Sequence, residues 1–186
     1  METNSINIIV QTTKYPKILG YLKLSKLRLG SLVVFSAIVT YFTLTDNIQW
    51  KQVLAISLGG LLVTSAANGF NQIIEKDLDK LMDRTRLRPM PTKVLTVNEA
   101  FIFCAFIGLI GTILLWVFTN PLCGILGFIS IILYALIYTP LKRTTPFSVL
   151  VGAFPGALPT LIGGVAATEG FGNITFFAFL LFMIQF

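Results

Sequence analysis

The chain has 186 residues, of which 55% are hydrophobic and 12% charged, with a net charge of +6 and a mean hydropathy of +0.82. That balance excludes an ordinary soluble domain and indicates a polytopic membrane protein. The basic character could suit nucleic acid, but the distribution of the cations argues against it. Histidine is absent, which excludes His-type zinc sites and His-based triads within this chain.

Residues 1–26 read as a polar cytoplasmic arm ending in an interfacial helix, with Tyr15, Leu19 and Leu22 among the lysines. No signal peptide is evident. Apolar runs of bilayer-spanning length, about 17–25 residues, follow at Leu29–Thr45, Val53–Ile74, Ala100–Phe118, Leu122–Tyr138 and Phe147–Ala167. A sixth run begins near Ile174, and the part up to Phe186 is too short to span. Small residues in span two (Gly59, Gly60, Ala66, Gly69) predict close helix packing. In span five, Gly152, Pro155, Gly156 and Pro159 predict a bent or broken helix, as a cavity wall or a packing kink. Cys104 and Cys123 read as buried apolar packing rather than a disulfide. The expected fold is all-α, a transmembrane bundle of about five complete spans plus a truncated sixth, occupying residues 27–186.

Every lysine and arginine except Lys51 lies in the N-terminal segment, between spans two and three, or between spans four and five. The positive-inside rule then places the N-terminus and the second group on the cytoplasmic side.

That second group follows an acidic series. Asn71, Glu75, Asp79 and Asp83 recur every four residues, and each such step turns a helix by only about 40°. Asn71, Glu75 and Asp79 therefore share a face, with Asp77 elsewhere. Ionisable groups at a membrane edge mark a functional site by default. Hard oxygen donors of this kind suit Mg²⁺ completed by substrate phosphates, and Arg84, Arg86 and Arg88 suit phosphate oxygens. A solvated helix end paired with Lys76, Lys80 and Arg84 is the plainer alternative. Tyr138 and Lys142 form a second candidate at the cytoplasmic end of span four, although tyrosine is common at that depth for other reasons.

Asn71-Gln72-x-x-Glu75-x-x-x-Asp79 resembles the first acidic motif of UbiA-type intramembrane prenyltransferases, usually Asn-Asp-x-x-Asp-x-x-x-Asp. The continuation Met82-x-Arg84-Thr85-x-x-Arg88-Pro89, the Tyr138-Thr-Pro-Leu-Lys142-Arg143 run and Val151–Pro159 are closer to the protohaem IX farnesyltransferase branch. The resemblance runs from about Lys26 to the last residue. It implies transfer of a farnesyl group from farnesyl diphosphate to a vinyl group of haem b, giving haem O, with Mg²⁺ as cofactor. Metal would be held by Asn71, Glu75 and Asp79, and diphosphate by Arg84, Arg88 and Lys142. Tyr138 and Lys142 would be the catalytic pair, with Tyr138 orienting the leaving group. Implied surroundings are the bilayer of the cell inner membrane and, as partners, haem A synthase or the terminal oxidase assembly. The alternatives are prenylation of an aromatic quinone precursor and a non-catalytic membrane protein. Such enzymes have about nine spans and a second acidic motif further on. The resemblance therefore predicts that this sequence is the N-terminal portion of a longer enzyme and is silent by itself.

Overall fold

The computed structural model describes residues 16–184, all of whose regular elements are helical. In order they are α1 (Lys17–Ser25), α2 (Leu27–Leu44), α3 (Trp50–Asp79), α4 (Val97–Phe118), α5 (Pro121–Ile132), a π-helical segment (Leu133–Tyr138), α6 (Thr139–Leu141), α7 (Ser148–Thr168) and α8 (Asn173–Ile184). Five stretches are long and apolar enough to cross a membrane: Lys17–Leu44, Trp50–Asp79, Val97–Phe118, Pro121–Leu141 and Ser148–Thr168. The chain is a multi-pass membrane protein with an all-α bundle. Tyr15 lies outside the described residues, whereas Leu19 and Leu22 fall on α1 with exposed side chains.

Local chemistry explains where the helices start. Thr96 and Glu99 form a reciprocal capping box at α4, with Glu99 N–H donating to Thr96 Oγ1 and Thr96 N–H to Glu99 Oε2. Asn120 Oδ1 accepts from Cys123 N–H, and Pro121 occupies the first turn of α5, where its missing donor costs nothing. Asn120 Nδ2 also donates to the Val165 carbonyl at 3.1 Å, joining the start of α5 to α7. Across the bundle's ends, Gln49 N–H donates to the hydroxyl of fully buried Tyr41 and closes the α2–α3 hairpin.

The bundle has inner and outer members. In α3 and α7, 56% of the most apolar stretch is buried, against 28% in α4 and 22% in the α1–α2 stretch. The outer helices present leucines and phenylalanines such as Leu32, Phe35, Phe106 and Leu109 outward, as a lipid-facing surface requires. α3 and α4 pack closely. A Cβ on Gly111 would sit 2.8 Å from the Gly59 carbonyl oxygen, so the two backbones meet directly.

α3 is the helix that positions the site. Its 30 residues span about 45 Å at 1.5 Å per residue, longer than a hydrocarbon core of roughly 30 Å. Its C-terminal turns therefore extend past the apolar layer and carry the acids with them. A small cluster of Leu24, Met90, Leu95, Ala100 and Cys104 seats α1 and the 80–96 loop against α3 and α4 at that end. Cys104 and Cys123 are free and buried, in keeping with apolar packing.

Of the bend or break expected in span five, the break is absent. α7 runs unbroken through Pro155 and Pro159, although an interior proline removes a helix donor and strains a soluble helix by about 3 kcal/mol. Packing against α2 and α8 holds its course. The irregular backbone lies in span four instead, where α5 widens into the π-helical segment.

Candidate functional site

Contacts distant in sequence gather the polar groups at one end of the bundle. Asn71 and Asp79 are almost wholly buried, as is Gln72 between them. Lys142 Nζ lies 2.8 Å from Glu75 Oε1, and Arg143 approaches the same oxygen at 3.9 Å. Arg143 also donates to the Ile74 carbonyl at 3.2 Å. Arg88 Nη1 donates to both Asp79 oxygens at 2.8 Å. The intervening loop curls back to permit this: Thr85, itself buried, donates its hydroxyl to the Asp79 carbonyl at 3.0 Å.

The π-helical segment is tied into the same constellation. Asn71 Nδ2 donates to Thr139 Oγ1 at 2.9 Å, and that hydroxyl donates to the Tyr134 carbonyl at 2.7 Å. Thr139 is fully buried, so one hydroxyl links the acidic helix to the widened turn of span four. π-Bulges are found disproportionately at functional sites, and this one carries Tyr134 and Tyr138, whose ring centroids are 5.5 Å apart. Lys142 Nζ sits 5.5 Å from the Tyr138 ring centroid, a cation–π distance. Gly152 of α7 lies against the same ring: a Cβ there would be 2.7 Å from Tyr138 Cε2.

Beneath this polar end lies a cavity of about 470 Å³, walled by Leu29, Val33, Ala67, Tyr134, Pro155 and Pro159, with Asn68, Tyr138, Gly152 and Gly156 also on its lining. The Gly–Pro run of span five is thus a cavity wall. Size and lining suit a largely apolar ligand.

The structure brings Asn71, Glu75, Asp79, Arg88, Tyr138 and Lys142 together. It leaves Arg84 exposed and, among the described residues, outside any ion pair. Asp77 and Asp83 are exposed and, among the described residues, paired with Lys76, Lys80 and Arg86 nearby. No three His, Cys, Asp or Glu side chains form a metal cage among the described residues.

Three further participants were not among the site residues expected from the sequence. Lys26, half-buried, occupies the left-handed turn (φ 46°, ψ 50°) between α1 and α2. It is close enough to Arg88, Lys142, Glu75 and Asp79 to experience their charges. Gln72 fixes that turn by donating to the Leu24 carbonyl at 2.8 Å. Thr139 is the third. Lys26, Arg88, Lys142 and Arg143 outnumber Glu75 and Asp79, so the site carries surplus positive charge and is made for an anion.

Residues 32–186 match the UbiA prenyltransferase family. The chain belongs to that family. It is 46% identical over 164 residues to the protoheme IX farnesyltransferase of Christiangramia forsetii, covering 88% of this chain and 53% of that protein. The protein of the same name from Cytophaga hutchinsonii is 42% identical over 154 residues, covering 82% and 54%. A mitochondrial protoheme IX farnesyltransferase from Kluyveromyces lactis is 40% identical over 148 residues, covering 80% and 33%. The chain spans about half the length of the bacterial relatives it matches. A solved UbiA homolog from Archaeoglobus fulgidus, bound to DMAPP and Mg²⁺, shares the fold with a TM-score of 0.68 at 18% identity. That match covers 89% of this chain and 60% of the homolog.

Proposed function

We propose that this chain provides the prenyl diphosphate site of a protohaem IX farnesyltransferase, which moves a farnesyl group from farnesyl diphosphate to a vinyl group of haem b and so makes haem O for haem-copper oxidases. The observation that carries the reading is the cation-rich cluster around Glu75 and Asp79 set directly over an apolar cavity. A polar head and a long hydrocarbon tail are what such a site can hold at once. Relatives named protoheme IX farnesyltransferase support the acceptor, and the DMAPP and Mg²⁺ of the Archaeoglobus homolog support the donor class.

The donor set suits Mg²⁺. Two carboxylates one helical turn apart match an ion that usually takes one or two carboxylates and completes its shell with phosphate and water. Asn71 commits its Nδ2 to Thr139, which leaves Oδ1 as its available oxygen. Glu75 and Asp79, with Asn71, would hold the ion, which when bound offsets charge on the departing diphosphate. Lys142, Arg88 and the neighbouring Lys26 and Arg143 bind the same diphosphate and stabilise the negative charge that grows as the C–O bond breaks. Arg84, which is exposed, would meet the diphosphate's outer edge. Tyr138, held against Lys142 and Gly152, orients the leaving group at the cavity mouth. The apolar walls exclude water that would quench the allylic cation. The positive loops at the site's end support a location on the cytoplasmic side of the inner membrane.

The test is direct. Membranes from cells that express the chain together with the C-terminal half of the Christiangramia forsetii relative are given Mg²⁺, farnesyl diphosphate and haem b, and products are resolved by mass. Haem O that requires both donor and Mg²⁺ is expected. Prenylation of an aromatic acid with no farnesylated haem would refute the assignment.

A further inference from the structure

The cavity beneath the polar cluster has a floor. Its deepest lining residues, counted away from the polar end, are Val33 on α2, Thr64 on α3, Ser130 on α5 and Pro159 on α7. One turn further along α2, α5 and α7 lie Ala37, Leu126 and Ile162, and these three belong to one buried hydrophobic cluster. There α2 and α7 meet backbone to backbone, since a Cβ on Gly163 would overlap the Ala37 carbonyl. The depth above this floor can be read along the helices. Val149 and Pro159, the two ends of the α7 lining, are ten residues apart, about 15 Å at 1.5 Å per residue. Tyr138 at the mouth and Ser130 are eight residues apart, about 12 Å on the same rise. A hydrocarbon tail advances by roughly 1.25 Å per bond, given C–C bonds of about 1.5 Å. A geranyl tail thus reaches about 9 Å, a farnesyl tail about 14 Å and a geranylgeranyl tail about 19 Å. Of the three, farnesyl fills the depth without overrunning it.

We infer that Thr64 and Ser130 select the length of the prenyl donor, admitting three isoprene units and no fourth. The inference rests on the haem-farnesylating function proposed above and deepens it. Both side chains are short and half-buried, and they stand on α3 and α5, which pack against each other. The last isoprene unit of a farnesyl tail lies against them, beyond the point where a geranyl tail ends. A phenylalanine at either position would fill the place of that unit and leave the space above it open. A fourth unit would have to enter the packed layer of Ala37, Leu126 and Ile162, where an added group forces its neighbours apart.

The test offers equal amounts of geranyl, farnesyl and geranylgeranyl diphosphate, with Mg²⁺ and haem b, to membranes holding the chain and the C-terminal half of the Christiangramia forsetii relative. Prenylated haems are separated by mass, and their ratios do not depend on how much protein inserts. The parent should use farnesyl over geranyl by about 100-fold, the scale of burying one further isoprene unit. It should use farnesyl over geranylgeranyl by at least about tenfold, the scale of overpacking. Ser130→Phe and Thr64→Phe should each bring the farnesyl-to-geranyl ratio down to about unity or below, with geranyl transfer retained. The two variants alter different helices, so one that does not fold leaves the other to decide, and the parent's own ratios test the floor with no substitution. Unchanged ratios in the variants overturn the inference. So does a parent that uses geranylgeranyl as readily as farnesyl, because the tail then leaves the cavity by its side. A parent that makes no prenylated haem from any donor defeats the functional reading instead, so the two failures are distinguishable.

Discussion

Two pairs of carboxylates from the same stretch of chain meet different fates. Glu75 and Asp79 face inward, with side chains 12% and 4% exposed, and find their cations at Lys142 and Arg88. Asp77 and Asp83 point outward, 70% and 94% exposed, and pair only with lysines and arginines three residues away or adjacent. Distance along the chain is the difference that matters. A local pair on an exposed helix is worth a few tenths of a kcal/mol and is screened by salt. A pair between distant segments requires the whole fold to form it, and it holds a charge cluster at the cavity mouth before any ligand arrives. Preorganised charge is what a diphosphate-releasing site needs.

Five substitutions sharpen or break that contrast. The largest effect belongs to Asp79→Asn and Glu75→Gln, which should each lower haem O formation by about 100- to 1000-fold, the scale of losing an electrostatic contact to a transition state. Quantified haem O in isolated membranes, normalised to inserted protein, reads this out. Next, Lys142→Gln should weaken farnesyl diphosphate binding by roughly 10- to 100-fold, as expected for one charge-assisted contact. Restoring a lysine elsewhere in the same loop should recover orientation in a protease-protection assay without recovering binding. If it recovers both, Lys142 is only a topology charge. Thr139→Val removes the hydroxyl between Asn71 and the π-helical segment, and a loss of about fivefold in turnover is expected from one neutral hydrogen bond. Conversion of the widened turn to a regular helix, seen as altered amide exchange at Tyr134–Thr139, would accompany it. Last, Asp77→Asn should stay within about twofold of the parent, because its partners are solvated surface lysines.

The same contrast explains what could be read beforehand. The four-residue spacing of Asn71, Glu75 and Asp79 is a property of helix geometry, so their common face was legible without a structure. So were the positions of the spans, since α3 and α4 follow apolar length, although α4 starts at Val97 through the Thr96–Glu99 capping box, which the apolar run does not mark. Lys26 was not, because its place depends on a left-handed turn anchored by Gln72 across the bundle. Arg88 and Arg84 look alike in sequence, and only the fold of the 80–96 loop sends Arg88 to Asp79. The prolines of α7 suggested a bent or broken helix; α7 is helical through both, and the irregularity the structure does show, at Leu133–Tyr138, has no local sequence mark.

The most direct measurement is Mg²⁺-dependent binding of an unreactive thiodiphosphate analogue of the farnesyl donor to nanodisc-embedded protein. It compares the parent with Asp79→Asn and Asp77→Asn. The inward pair predicts that Asp77→Asn binds like the parent, while Asp79→Asn loses at least about tenfold in affinity and most of the Mg²⁺ dependence. Equal affinity in Asp79→Asn and the parent, or an equal loss in both variants, would contradict the assignment of the site to the buried face of α3.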